Sequence, residues 1–562
     1  MKKYLFLCLW ACVPGVLWAQ QNCQLSAQKP IELLAAELKR SFKTLRKQNP
    51  PIYYLAYTYT QTSGQRLNVE ENGVRSYWDE PEAVLEVQAR AGSRLMDNTR
   101  TLKNDVTNYK LTVNEVPAIT GDGKAFIMAV WRATQAAAEN AQQEFNRVQA
   151  DAHTASQRTD DSPDFAFPPA ETFCREVPPL RFDVEQIKQL LLRASQLTRG
   201  HKYVLSSVFS FSYETGSRYF VDSVGTRLKT PVQFARLMYS VEGKTPDGST
   251  LTRSNAYDVL SEQELPTEDK LRADITQSLA ELQALTQAPE AEPVTVPAIL
   301  KNRAMAVFVH EVLGHRVEGH RQKEDSFGKT FTDKMGQQVV SPLLTIVDDA
   351  TLSYFNGIPL RGFYEYDDEG VKARPVVIIE NGVLENFLMS SSPVKGVPVS
   401  NGHGRSQAGR RPVARMGNTR VMASQTVSYD ELEQQLLAEI KRQQKPYGYI
   451  IEDLSGGFTM TQTSFPQTFK LKPTLAYRMY PDGRKEPVRG ADMVGTPLVS
   501  FNEVIAAADD YDVFNGSCGA ESGWVPVSGI APSVLLRKLE IEKTGKSNVK
   551  PPLLPPPFAE GK

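Results

Sequence analysis

His310-Glu311-Val312-Leu313-Gly314-His315 restricts the backbone more tightly than any other stretch of this sequence. The apolar run before it, Ala304 to Val309, reads as a buried helix leading into the motif. Two imidazoles and a carboxylate within six residues are the parts of metal-assisted hydrolysis: neutral imidazoles hold an ion, and a carboxylate moves a proton. In the HExxH helix the histidines stand four residues apart and share a face. Here they stand five apart, and at about 100° per residue that turns them roughly 140° away from each other on an ideal helix. They can serve one ion only where the helix kinks, bulges or ends, which Gly314 permits. The competing reading is a polar turn of helix in which Glu311 forms a salt bridge.

Two histidines leave a tetrahedral site incomplete, since a catalytic zinc takes three protein ligands and keeps one position open. Glu318, His320, His403 and Cys518 are the candidates. His320 is local and would favour a closed, structural site. Cys518 lies on the glycine-flanked segment Asn515-Gly516-Ser517-Cys518-Gly519, where a thiolate at a metal and an inert buried cysteine are both reasonable.

Cysteine use bears on compartment. Met1-Lys2-Lys3, the apolar stretch Tyr4 to Trp18 and Leu17-Trp18-Ala19 have the order of a secretory signal covering residues 1–19. Removing it takes Cys8 and Cys12 and leaves Cys23, Cys174 and Cys518. An odd thiol count in an exported, periplasmic chain asks for a reason. A Cys23–Cys174 disulfide with Cys518 used otherwise is one arrangement, and the sequence does not choose between pairings.

Mixed charge with a formal net of −1 gives no electrostatic case for nucleic acid. Nothing beyond the signal is long and apolar enough to span a bilayer. The periodicity predicts α+β architecture. Residues 20–287 read as an N-terminal mixed α/β domain, with helices at Pro30–Lys47, Lys124–Ala152, Val184–Arg199 and Lys270–Thr286. Its strands include the tyrosine-rich Ile52–Tyr59, read as a packed sheet face, and Arg66–Val74, Val84–Ala91 and Gln233–Glu242. Tyr203–Tyr213 and Ser217–Lys229 read as a hairpin. Residues 288–296, acidic and proline-bearing, read as a linker. Residues 297–545 read as a mainly antiparallel β-sheet domain carrying the metal site, with strands at Val339–Asp348, Val376–Glu380 and Val383–Ser390 and a helix at Tyr429–Gln444. Residues 546–562 form a proline-rich tail.

From about Ala298 to Leu536 the chain resembles the TldD/PmbA metallopeptidases, specifically the motif-bearing TldD type. The resemblance is carried by residues 310–319, Thr345–Asp349, Asp367–Gly370, Ile379–Gly382, Gly402–Arg405, Arg415–Thr419, Gly456-Gly457, Pro487–Gly490 and Ser517–Gly519, in that order. It implies zinc held by His310, His315 and Cys518, with Glu311 as general base on zinc-bound water. It further implies hydrolysis of unfolded or extended peptides by strand addition in a site enclosed between subunits, as a homodimer or a heterodimer with a PmbA-type paralogue. His403 and Arg405 are candidates for holding the oxyanion, Arg405 being equally readable as structural. The chain departs from the family at His320, often Asp, and at Ala520–Gly523 after Cys-Gly. The alternative function is a non-catalytic metal-binding or scaffold subunit of such a complex.

Overall fold

The structure is a computed structural model that describes residues 23–25, 28–70, 73–102, 111–116, 119–152, 160–324, 327–459, 461 and 468–544. The signal segment, the proline-rich tail and His153 lie outside the described residues. The chain folds as α+β, as its periodicity implies.

The first half builds one nine-stranded sheet around the long strands Ile52–Glu70, Val204–Asp222 and Arg227–Lys244. Side chains alternate across a strand, so Tyr57, Tyr59, Leu67 and Val69 share one face. That face is covered along its length by four amphipathic helices. Lys29–Leu45 and Lys124–Ala152 pack over Tyr57 and Tyr59, and Val184–Gln196 and Glu268–Gln287 over Leu67 and Val69. Tyr54 and Ala56 point the other way and pack with Phe165, Phe220 and Tyr366, the last belonging to the second half of the chain. The tyrosines of this strand are buried packing residues, as read from the sequence.

The expected hairpin at Tyr203–Lys229 turns elsewhere. Val204–Asp222 is one uninterrupted strand, and the chain reverses after Asp222. Glu214-Thr215-Gly216 has turn composition, but its glycine serves close strand approach: a Cβ on Gly216 would stand 2.1 Å from the Gln61 carbonyl oxygen. The reversal belongs to Asp222, whose Oδ1 accepts from the backbone N–H groups of Val224, Gly225 and Thr226 at 2.9, 2.8 and 2.9 Å. Likewise, the strand expected at Arg66–Val74 is the end of Ile52–Glu70 plus a separate strand Gly73–Trp78.

The second half holds a seven-stranded and a six-stranded sheet, antiparallel except where 298–300 meet 449–451 and 418–420 meet 528–530. The first strand, Val294–Leu300, begins inside the segment read as linker. Helix Asn302–Val312 is clasped between the two sheets. Phe308 meets Phe469 and Phe501 edge-on, with ring centroids 5.6 and 5.0 Å apart, on the side of the seven-stranded sheet. On the other side Gly529 lets the six-stranded sheet approach Ala306, where a Cβ would come within 2.9 Å of Ala306 Cβ. The strand predicted at Val383–Ser390 stops at Leu384. Leu388 stays buried but exchanges hydrogen bonds with Val317 and Gly319 at 2.9 and 2.7 Å, so this apolar run pins the segment following the histidine motif.

Candidate metal centre

The helix carrying His310 ends at Val312, and Gly314–Arg316 continues as a 3₁₀ turn. This is the break that the five-residue spacing demands. It swings His315 back so that the two imidazole centroids lie 5.1 Å apart at 84°. Arg316 seals the helix end by donating to the carbonyls of Glu311 and Val312 at 3.2 and 3.3 Å, a cation on the last exposed carbonyls. Gly314 has a different reason from the backbone freedom inferred above. Its φ is not positive, and a Cβ there would sit 2.0 Å from Met416 Sδ.

Cys518 reaches the same point from strand Asp512–Ala520. Its Sγ stands 3.1 Å from His310 Nε2 and 3.3 Å from His315 Nε2. One donor atom from each of the three residues falls within 4.8 Å of the others. Burial alone would push the Cys518 thiol up, but His315, His310 and Arg415 outweigh it and hold it well below the ordinary thiol range. Burial opposes charge on His315 too, yet Cys518 and Glu318 raise it well above the usual imidazole range. Without a metal the cluster thus favours a thiolate beside a protonated His315, and an ion that displaced that proton would meet one thiolate and two imidazole nitrogens, a donor set suited to zinc.

Around the cluster lies a largely buried polar frame. His315 turns Nδ1 toward Glu318, 3.2 Å from Oε1. Glu318 also accepts from Arg321 Nε at 2.8 Å and has Arg415 Nε at 3.4 Å. Against the cost of burial, His315 and Arg321 draw the Glu318 carboxyl down to about 2. Arg415 is wholly buried and donates to the Cys518 carbonyl at 2.6 Å, to Ser522 Oγ at 2.8 Å and to the Gly523 carbonyl at 3.0 Å. Arg321 forms a two-pronged pair with Glu521 at 2.6 and 2.8 Å. Two arginines therefore tie the cysteine hairpin to the histidine turn. A carboxylate on the far nitrogen of a ligand histidine fixes its tautomer and orientation.

Glu311 is partly buried beside the cluster. Gly457 closes over it: a Cβ there would lie 2.7 Å from Glu311 Cγ and 2.0 Å from Leu471 Cδ2. The other candidates fall elsewhere. Glu318 stands behind His315. His320 is buried against Phe327, with Nε2 3.7 Å from Glu521, and is not part of the three-residue cluster. His403 is buried with Nε2 3.3 Å from Asp348 Oδ1. Arg405 donates to the Met416 carbonyl at 2.5 Å and stacks over Tyr364, which is the structural reading of that residue. Sequence reasoning missed the frame of Arg321, Arg415 and Glu521. Glu521, one of the departures from the family pattern, has an internal partner in Arg321.

Residues 293–543 match the PmbA/TldA metallopeptidase C-terminal domain. Helix, sheets and cluster together thus define a metallopeptidase-type domain. The chain is 26% identical over 359 residues to a metalloprotease of Methanocaldococcus jannaschii, covering 63% of this chain and 73% of that one. It is 30% identical over 275 residues to a zinc metalloprotease TldD homologue of Saccharolobus solfataricus, covering 48% and 57%. The chain therefore spans only about half the length of the second relative. Its fold is also that of TldE from Thermococcus kodakarensis, with a TM-score of 0.59 at 15% identity over 90% of this chain and 100% of that one. Residues 293–543 therefore form a C-terminal domain of the PmbA/TldA metallopeptidase type.

Proposed function

We propose that the chain is a zinc-dependent peptidase acting on unfolded or extended peptides. The observation carrying this reading is the convergence of His310, His315 and Cys518 to donor atoms within 4.8 Å, with Glu311 alongside. The three residues would hold the ion, with Cys518 as thiolate and both histidines neutral. Zinc, when bound, supplies Lewis acidity toward a water and a scissile carbonyl. Glu311 takes the proton of the attacking water and returns it to the leaving amine, as general base and then general acid. Gly457 keeps the space above Glu311 free of side chain. Glu318 holds the Nδ1 proton of His315, leaving Nε2 as the donor atom.

The enclosed assembly in this reading is a homodimer or a heterodimer with a PmbA-type paralogue. The likeness to TldE supports a two-subunit arrangement. Among the described residues no helix is long and apolar enough to cross a membrane. Export to the periplasm is supported by the Cys23–Cys174 disulfide, a bond that persists in oxidising compartments. Recovery of the protein only in the cytosolic fraction of its cells would argue against export.

Glu311→Gln tests the chemistry. It should leave one zinc per chain by metal analysis and remove turnover of a disordered peptide substrate. Full peptidase activity in that variant would refute the assignment.

A further inference from the structure

A cavity of about 870 Å³ lies between the sheet of the first half and the loops of the second, and it includes none of the metal-centre residues. Its size suits a small organic ligand or a peptide end, for which pockets of about 300–1,000 Å³ are usual. Part of its wall is Val525 and Pro526, which pair across the hairpin with Cys518 and Ser517.

Arg361 is the unusual group in this wall. Its loop is pinned to the cysteine hairpin: the Arg361 N–H donates to Ser528 Oγ at 2.9 Å, and Asn515 Nδ2 donates to the Pro359 carbonyl at 2.9 Å. The guanidinium is laid flat on the Phe234 ring, 4.3 Å from its centroid. Its Nε is buried without an acceptor, and among the described residues it has no carboxylate partner. Asp258, the acid whose charge acts on it, is already taken by Arg236 in a two-pronged pair at 2.8 and 2.7 Å. Burial and the like charge of Arg236 push the Arg361 guanidinium down to about 10, as expected of a cation short of counter-charge.

The other acids of the wall narrow the ligand. Glu365 is held by Arg175 and Asp368 by Arg218. Glu214, Glu262 and Asp367 also line the wall, and among the described residues none of them has an ion-pair partner, which disfavours a polyanion. Leu180, Val232, Phe234 and Leu360 supply apolar surface. We propose that this cavity binds a monocarboxylate on an apolar body, its carboxylate on Arg361 and its body against Phe234 and the cysteine hairpin. The source is either the C-terminus of a short peptide or a free organic acid. The peptide source rests on the proposed peptidase function; the site itself does not.

Calorimetric titration of the full-length chain, stripped of metal by chelator so that no carboxylate is read at the metal centre, tests this. The probes are N-acetyl-Leu-Phe, its C-terminal amide, and phenylbutyrate. The free-acid peptide should bind about tenfold or more tighter than the amide, the difference expected of a charge-assisted pair on a half-buried guanidinium. Arg361→Met, which keeps the apolar stem over Phe234, should abolish that preference while leaving the melting temperature within a few degrees. Phenylbutyrate binding that depends on Arg361, without peptide binding, supports the site and assigns the free-acid source. Equal binding of acid and amide peptide to the unmodified chain, or no binding of either acid probe, overturns the proposal. So does undiminished affinity in Arg361→Met. Because no turnover is read, failure of the peptidase reading leaves this result intact, and the reverse holds.

Discussion

Replacing Glu318 by Gln removes one charge from the frame behind the metal centre while keeping its shape. The carboxylate is fully buried and faces His315 at 3.2 Å, Arg321 at 2.8 Å and Arg415 at 3.4 Å. In metal-free protein its carboxyl lies at about 2 against an ordinary 4.5. One unit is worth about 1.4 kcal/mol, so the ionised carboxylate contributes on the order of 3 kcal/mol to folding at neutral pH. The folded-state value is depressed, so that contribution is complete above about pH 4.5 and is lost as the pH falls from there toward about 2. Glu318→Gln lacks it, so the variant should differ most from wild type above about pH 4.5 and less as the pH falls. It leaves Arg321 with Glu521 and leaves Arg415 without a carboxylate, an arrangement that costs about 3–5 kcal/mol where a buried pair is broken.

The loss has a second readout. The amide cannot hold the His315 Nδ1 proton as the carboxylate does, and losing such a partner lowers metal affinity about 10–100-fold. Urea unfolding of the metal-free protein at pH 7 and pH 4 gives the stability change, which should shrink at the lower pH. Competition with a chromophoric chelator gives the zinc affinity. Unfolding free energies within about 0.5 kcal/mol of wild type together with zinc affinity within about twofold would refute the argument, since that is the range of substitutions away from any such feature.

Gly457→Ala places a methyl 2.7 Å from Glu311 Cγ. It should sharply reduce peptide turnover while zinc content stays at wild type, and undiminished turnover would show that the space above Glu311 is not used. Gly314→Ala sets a Cβ 2.0 Å from Met416 Sδ and should destabilise by about 1–3 kcal/mol in urea melts, the usual cost of overpacking. Adding Met416→Ala to it should recover part of that loss, and a double variant no better than the sum of the singles would refute the contact as the cause.

Some of the centre was legible because its constraint is local. The conflict between a five-residue spacing and a helix of 3.6 residues per turn follows from His310 and His315 alone, and it forces the helix to end between them. The reason for Gly314 was not legible, since Met416 lies about a hundred residues along the chain and no periodicity connects the two. Cys518, at a separation of 208 residues from His310, entered through the family blocks, because loop closure leaves no mark on local composition. The misplaced hairpin has the same origin. Gly216 and Asp222 are both turn formers by type, and only the pairing with Ile52–Glu70 decides that one crosses a strand closely and the other reverses the chain.

The frame of arginines and carboxylates follows a further rule. A buried ion pair offers little net stability over apolar packing, so Arg321, Arg415, Glu318 and Glu521 need a reason beyond holding the fold. Each arginine touches both the segment after His315 and the hairpin around Cys518, by way of Glu318 on one side and Glu521, or the Cys518 carbonyl, on the other. Apolar residues could fill the same volume but could not fix the tautomer of His315 or hold the Cys518 thiolate low. Charge at this place therefore sets donor orientation, a task that apolar packing of equal stability could not perform. The Glu318→Gln variant separates the two, because a purely structural carboxylate would change the urea midpoint and leave the zinc affinity where it was.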